Sequence, residues 1–207
     1  MNHSVVLEQV YGDEELIARM ARMSFAKYND PQINIEKLIS HMRKCRNHWT
    51  PFSHAGATFL ITAPIPIARQ LWRHVVGLGE TDLNNWSEQS GRYSKPHGDY
   101  YVPEEHPEEI RNVVLTQDEW WKTTMQGIIN EYSKALARGY PKEQARMLLP
   151  QGMFTSWGWS GNVAAWLRVA TMRLDPSAQK ETQMIIADVV KELEKHFPNC
   201  FKDLKNE

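Results

Sequence analysis

The stretch "ARQLWRHVV" (residues 68–76) carries four side chains whose donors suit an anion: Arg69, Gln70, Arg73 and His74. On a helix opened by Pro66, residues 70, 73 and 74 lie three and four apart and share a face. Guanidinium forks beside an amide and an imidazole can hold phosphate or carbonyl oxygens. A solvated helix face uses the same residue types, so this stretch alone leaves both readings open. Further on, "SEQSGRY" (87–93) sets Ser90 and Gly91 before Arg92. A Ser-Gly pair lets the backbone approach a ligand closely and frees N–H groups toward it, although a plain turn has the same composition. Arg146 in "PKEQARMLLP" and Arg173 in "VATMRLDPSAQ" stand in apolar helical surroundings. A buried arginine must meet a ligand or a carboxylate, for which Glu143 or Asp175 is suitably placed.

Other chemistries lack their residues. The eight histidines form no His-Glu-x-x-His and no spaced ligand set, so no metal site is expected. "GLGET" is not followed by the helix that a phosphate-cradling loop needs, and no Gly-x-Gly-x-x-Gly or P-loop occurs. Cys45 and Cys200 are the only cysteines, neither in a nucleophile motif, which suggests a reduced, cytoplasmic protein. The first residues, "MNHSVVLEQVYGDEE", lack the basic and apolar blocks of a signal peptide, and no apolar run is long enough for a membrane span. A net charge of −1 argues against nucleic acid or a membrane surface as partner.

The elements that must position these groups are legible from periodicity. The 207 residues suffice for one domain spanning 1–207, with no repeat or linker. "HSVVLEQVYG" alternates as a strand, and Asp13 then caps a helix through "EELIARMARMSF". Asn34 caps a second helix, with Ile35, Leu38, Ile39 and Met42 as its apolar stripe. "HAGATFLITAP" is a strand with Ala55, Ala57, Phe59 and Ile61 on one face. Thr116 to Glu119 forms a capping box before a helix striped by Trp121, Met125, Ile128, Tyr132 and Leu136, which Gly139 and Pro141 stop. Helices then run through "NVAAWLRVATMRL" and "SAQKETQMIIADVVKELEKHF". The expectation is an α+β fold: a mixed or antiparallel sheet packed by helices, strands in the first half, a helix-rich C-terminal half. Eight tryptophans, among them Trp120, Trp121, Trp157 and Trp159, supply apolar surface for subunit contacts.

Taken in order, "ARMSF", "HWTPFSHAGATF", "ARQLWRH", "SGRYSK", "EYSKALARGYPKEQARMLLP" and "GNVAAWLRVATMRLDPSAQKE" resemble the flavin-dependent thymidylate synthases over most of the chain. The resemblance implies a homotetramer using FAD, methylenetetrahydrofolate and NADPH to methylate a deoxypyrimidine monophosphate, dUMP, at C5 without a cysteine nucleophile. By position, Gln70, Ser90, Gly91, Arg92, Arg146 and Arg173 match the family's dUMP set, with Arg73 beside them and Arg173 and Ser90 closest to the chemistry. Ser24, His48, Thr50, Arg73, His74, Glu88 and Asn162 match the FAD site, and Arg168 could supplement it.

The flavin side departs from the family pattern. Val75 stands where the third residue of Arg-His-Arg is expected, Ser53 replaces a glutamate, Ala164 an arginine and Ser177 a frequent histidine. The signature is stretched by seven residues, with Arg73 and Ser90 17 apart, and the insertion reads as falling within Gly77–Asn84. Weakened FAD binding is therefore expected. A hydroxymethylase making the 5-hydroxymethyl nucleotide from dUMP or dCMP is the alternative, since water would replace the hydride. A non-catalytic nucleotide-binding relative is a weaker third reading.

Overall fold

The computed structural model describes residues 1–28, 34–45, 48–74, 85–94, 98–104, 117–202 and 204. Val75, the Gly77–Asn84 segment with Glu80 and Asp82, and Thr116 of the capping box lie outside the described residues. The architecture is α+β, with four strands pairing in the order β1–β2–β4–β3. These are β1 (Ser4–Tyr11), β2 (Gly56–Pro64), β3 (Trp86–Glu88) and β4 (Phe154–Asn162). Helices α1 (Glu14–Met23), α2 (Ile35–Lys44) and α3 (Ile65–Trp72) precede the long α4 (Gln117–Ala137). The short α5 (Lys142–Ala145), then α6 (Val163–Arg173), α7 (Lys180–His196) and α8 (Pro198–Phe201) complete the set. None of the described helices is long and apolar enough to cross a membrane.

Local chemistry explains the boundaries. Asp13 Oδ1 accepts the Leu16 N–H at 2.6 Å and starts α1; Asn34 Oδ1 accepts the Lys37 N–H at 2.8 Å and starts α2. Asn162 does the same for α6, taking the Ala165 N–H at 2.8 Å. Behind α4, Gly139 adopts φ +88°, a left-handed conformation that ends the helix and that a side chain would strain.

The strands run antiparallel. The Thr58 and Ser160 hydroxyls bond at 2.8 Å and those of Thr62 and Ser156 at 2.7 Å, so β2 rises as β4 falls. The sequence reading clusters the strands in the first half, where β1, β2 and β3 lie, but does not identify β4, which lies in the second half as an inner strand of the sheet. Its signal was the period-2 alternation of "FTSWGWSGN", with Phe154, Ser156, Gly158 and Ser160 against Thr155, Trp157, Trp159 and Gly161. Two glycines and three Ser/Thr residues mask it, because these are weak strand formers or turn formers when read singly. Trp157 and Trp159 are each only 1% exposed, so they are core residues and not the subunit surface expected from their number.

The chain forms two compact units. One comprises Met1–His3, Thr62–Arg69 and Glu88–Trp157. In it Tyr132 and Ala135 of α4 pack with Ala145 of α5, flanked by Leu136 and Leu149. Trp121 Nε1 donates to the Tyr101 carbonyl at 2.7 Å. The other comprises Ser4–Ile61, Gln70–Ser87 and Gly158–Glu207. Its core face on β2 is Ala57, Phe59 and Ile61, with Ala55 just before the strand, all fully buried, as the alternation predicts. Trp166 sits among aromatic partners: its ring centroid lies 4.7 Å from Trp159 and 5.2 Å from Phe59. Trp166 Nε1 also donates to the Ala57 carbonyl at 3.2 Å. A Cβ on Gly161 would stand 2.8 Å from that Nε1, so glycine is required for the indole to lie against the strand.

Replacing Trp166 by alanine should therefore destabilise the protein by about 3–5 kcal/mol, through the cavity and the orphaned Ala57 carbonyl. Trp166→Phe should cost markedly less. Urea midpoints of the two variants check this, and equal shifts would show that the indole N–H and ring size contribute nothing separable.

Candidate functional site

Two constellations, one in each unit, gather the residues singled out by sequence. The first is a cavity of ≈ 370 Å³ in the unit containing α4, at the small end of the about 300–1,000 Å³ usual for ligand pockets. Gly91, Arg146, Glu88 and Arg69 line it, above an apolar wall that includes Met153 and Phe154. Gly91 and Arg146 are neighbours: a Cβ on Gly91 would meet Arg146 Cδ at 3.5 Å, an ordinary contact. No intramolecular packing thus demands glycine at that point, and the room beside it faces the arginine. Arg146 is exposed, which corrects the expectation of a buried arginine paired with Glu143: α5 is a single turn that buries Ala145, and Arg146, at its C-cap, projects into solvent.

The turn after β3 is tightly bonded. The Ser90 carbonyl accepts N–H groups from Tyr93 and Ser94, both at 3.1 Å, and Ser90 Oγ accepts the Arg92 N–H at 3.3 Å. This presents Arg92 outward, exposed, with its guanidinium 5.2 Å from the centroid of the Tyr93 ring. Ser90 and Arg92 share the turn with Gly91 but do not line the cavity.

The second constellation lies in the other unit. Arg173 Nε donates to His74 Nε2 at 2.7 Å. Guanidinium nitrogens only donate, so Nε2 must be bare and the imidazole neutral, with its proton on Nδ1. Burial, then the charges of Arg173 and Arg168, hold the His74 pKa below the ordinary histidine value. This corrects the Asp175 pairing: the Asp175 carboxylate instead accepts the Ser177 N–H at 2.8 Å and its hydroxyl. Those bonds lower the Asp175 pKa and close the turn between α6 and α7. Ser177 itself is exposed.

Residues 70, 73 and 74 do not share one helix face. α3 ends at Trp72, because the His74 N–H turns back to the Leu71 carbonyl at 2.9 Å in a tighter i to i+3 bond. His74 is consequently buried while Arg73 is exposed. Gln70 is held at both ends of its amide: Nε2 donates to Gln179 Oε1, and Oε1 accepts from Thr182 Oγ1 at 3.1 Å.

The remaining sequence-matched positions scatter. His48 and Ala164 line a smaller cavity of ≈ 150 Å³ with Arg43, Trp49 and Thr171. Ser24 and Thr50 are exposed and do not line it, and Arg168 is exposed on α6. Ser53 Oγ is buried without a hydrogen-bond partner. Glu88 stands in the larger cavity with Gly91 and Arg146. Sequence reasoning gave no role to Thr155 and Gln151, which also line that cavity; only the unread alternation of β4 could have aimed Thr155. Among the described residues, no group of three or more His, Cys, Asp or Glu could hold a metal ion.

The chain matches known proteins over nearly its whole length. Residues 5–199 match the family model described as "Thymidylate synthase complementing protein". The flavin-dependent thymidylate synthase of Thermotoga neapolitana is 30% identical over 191 residues, covering 90% of this chain and 83% of that protein. That of Thermosipho africanus is 28% identical over 201 residues, covering 90% and 85%. Among solved structures, a UMP/dUMP methylase, PolB, from Streptomyces cacaoi bound with 5-Br dUMP superposes with a TM-score of 0.78 at 25% identity, covering 97% of this chain and 94% of that one.

His74 gives the constellation a pH signature. Its folded pKa lies below the unfolded value of about 6.5, so the folded state binds the proton less readily. The stability it contributes is present above that value and is lost as pH falls through the folded pKa. Melting temperature should drop as pH falls below about 6.5, and His74→Gln, which keeps an acceptor but cannot titrate, should flatten that segment. An unchanged slope in the variant would assign the pH response elsewhere.

Proposed function

The chain belongs to the thymidylate synthase complementing protein family, that of the flavin-dependent thymidylate synthases, and on that premise we propose that it methylates dUMP at C5. It is a one-carbon transferase enzyme. The observation that carries the nucleotide reading is the meeting of Gly91 and Arg146 at the ≈ 370 Å³ cavity, with Arg92 on the adjoining turn. Arginine forks suit a phosphate and a pyrimidine carbonyl edge, and a glycine leaves the backbone approachable. The resemblance also matches Arg173 to a nucleotide-binding position; the neutral His74 takes its Nε proton in a hydrogen bond and leaves the Nη donors for a ligand. Ser90 adds a hydroxyl. One-carbon transfer comes from methylenetetrahydrofolate, with NADPH as the source of reducing equivalents. We take the working form to be a homotetramer. The exposed Arg92 and Arg146, beside exposed Tyr93, Met147 and Leu148, suit a site that a second subunit completes, and light scattering that finds only monomers would refute it.

The residues present fit a flavin nucleotide in part of its reach. Exposed Arg73 and Arg168 are cations for a pyrophosphate, His48 and Trp49 border the ≈ 150 Å³ cavity, and the buried Ser53 hydroxyl lacks a partner that a ligand could supply. Asn162 spends its side-chain oxygen on the α6 cap and keeps its amide N–H groups to donate. A reduced flavin, when bound, supplies the hydride that a methyl product requires and that no side chain can. Ala164 and Ser53 present no charge where the family pattern has an arginine and a glutamate. Each charge-assisted contact removed costs about 1.5–3 kcal/mol, so FAD should bind weakly and the purified protein should be pale.

That same remodelling favours one alternative: hydroxymethylation of dUMP or dCMP, in which water takes the place of the hydride. The decisive assay incubates the protein with dUMP or dCMP, methylenetetrahydrofolate and FAD, with and without NADPH, and weighs the product. A methyl gain with stoichiometric NADPH oxidation is expected. A hydroxymethyl product without NADPH oxidation would replace the methylase reading by the alternative, and nucleotide binding without either product would leave a non-catalytic relative.

Arg92→Ala and Arg173→Ala should each weaken dUMP binding by about 2 kcal/mol or more, since each leaves an anionic or carbonyl oxygen without its charged donor. Calorimetric titration alongside melting temperatures tests this. Lost stability with unchanged affinity would mean that the two arginines are structural.

A further inference from the structure

Three elements converge on one carboxylate in the larger cavity. Thr155 Oγ1, on β4, donates to Glu88 Oε1 at 3.0 Å, and Arg69 Nη1, on α3, donates to Glu88 Oε2 at 3.3 Å. All three residues line the cavity that Gly91 and Arg146 also line, and Glu88 is the one acidic residue among its described lining. The arrangement does not read as a fastening of the fold. The Arg69 side chain is 61% exposed, and ion pairs with so exposed a partner contribute little to stability. Thr155, by contrast, is buried, and it commits its only hydroxyl proton to Glu88. A valine would fill the same strand position without needing a partner.

We propose that Arg69 and Thr155 are positioning residues: they hold the Glu88 carboxylate, one oxygen each, as a fixed acceptor for a donor hydrogen of the nucleotide. The inference rests on the nucleotide reading of this cavity and deepens it. An ionised carboxylate only accepts, so it can recognise only a donor on the ligand, a sugar hydroxyl or a base N–H. The guanidinium of Arg146 serves the opposite need, for phosphate or carbonyl oxygens. A carboxylate offers about four acceptor directions, of which a ligand donor would take one. Fixing both oxygens before the ligand arrives removes the ordering cost that a loose side chain would pay on binding.

The test uses the full-length chain and calorimetric titration with dUMP, with melting temperatures measured in parallel. The variants are Thr155→Val, Thr155→Ser, Arg69→Gln, Glu88→Gln and the Thr155→Val/Glu88→Gln double. Thr155→Val and Arg69→Gln should each weaken dUMP about five- to tenfold, while Thr155→Ser, which keeps the donor, stays within about twofold of the parent. The double variant should bind no more weakly than Glu88→Gln alone, because Thr155 acts through Glu88. Arg69→Gln, at an exposed position, reports even where Thr155→Val does not fold. Two analogues identify the donor: 2′,3′-dideoxyuridine monophosphate lacks the sugar hydroxyl and 3-methyl-dUMP lacks the base N–H. The analogue missing the recognised hydrogen should bind the parent weakly and lose its sensitivity to Arg69→Gln. Parent-like dUMP affinity in Arg69→Gln, additive losses in the double variant, or full sensitivity with both analogues overturns the clamp. A parent chain that binds neither dUMP nor dCMP overturns the nucleotide reading itself.

Discussion

A slip of one residue in the pairing of β4 would turn Trp157 and Trp159 out of the core and bring Ser156 and Ser160 into it. That register is the constraint on which the rest of the molecule hangs. It is enforced twice over, by two indoles that are almost wholly buried and by hydroxyl pairs to Thr58 and Thr62 on the opposite face. Thr155 then falls on the side from which it reaches Glu88, and Gly161 falls where the Trp166 indole can lie flat against the strand. The positions with chemical roles in each unit inherit their aim from this alternation.

The arginines are handled in two ways. Arg173 is half-buried, and its Nε donates to a neutral imidazole; among the described residues it forms no ion pair with a carboxylate. A neutral acceptor orients the guanidinium while leaving its charge available, whereas an Asp175 salt bridge would have cancelled much of the attraction for an anionic ligand. Arg92 and Arg146 remain exposed and hydrated, so they carry no desolvation penalty until something covers them. Arg69 is the exception: it is exposed, yet it faces a carboxylate, and its charge serves to hold Glu88 in place.

Within the larger cavity Gly91 and Arg146 stand side by side. The positions that the sequence reading set apart on the flavin side have their own local surroundings. Ala164 borders a small cavity, Ser53 leaves a buried hydroxyl unpartnered, and Ser177 serves a turn with Asp175.

Periodicity alone determined much of this protein. The caps at Asp13 and Asn34, the buried face of β2 and the α4 stripe stopped at Gly139 all follow from local hydrogen bonding and side-chain spacing, which act within a few residues. The resemblance in motif order likewise pointed to the family. What only the tertiary structure decided involved partners distant in sequence. β4 was illegible because its glycines and serines are poor strand formers until neighbouring strands supply their hydrogen bonds. The shared face of residues 70, 73 and 74 failed because α3 tightens and ends, a choice made by packing around Leu71 and His74. His74 as the partner of Arg173, 99 positions away, and Thr155 as the partner of Glu88, 67 away, carry no local signal at all. Side chains so far apart along the chain become neighbours only when the burial of the whole core brings them together.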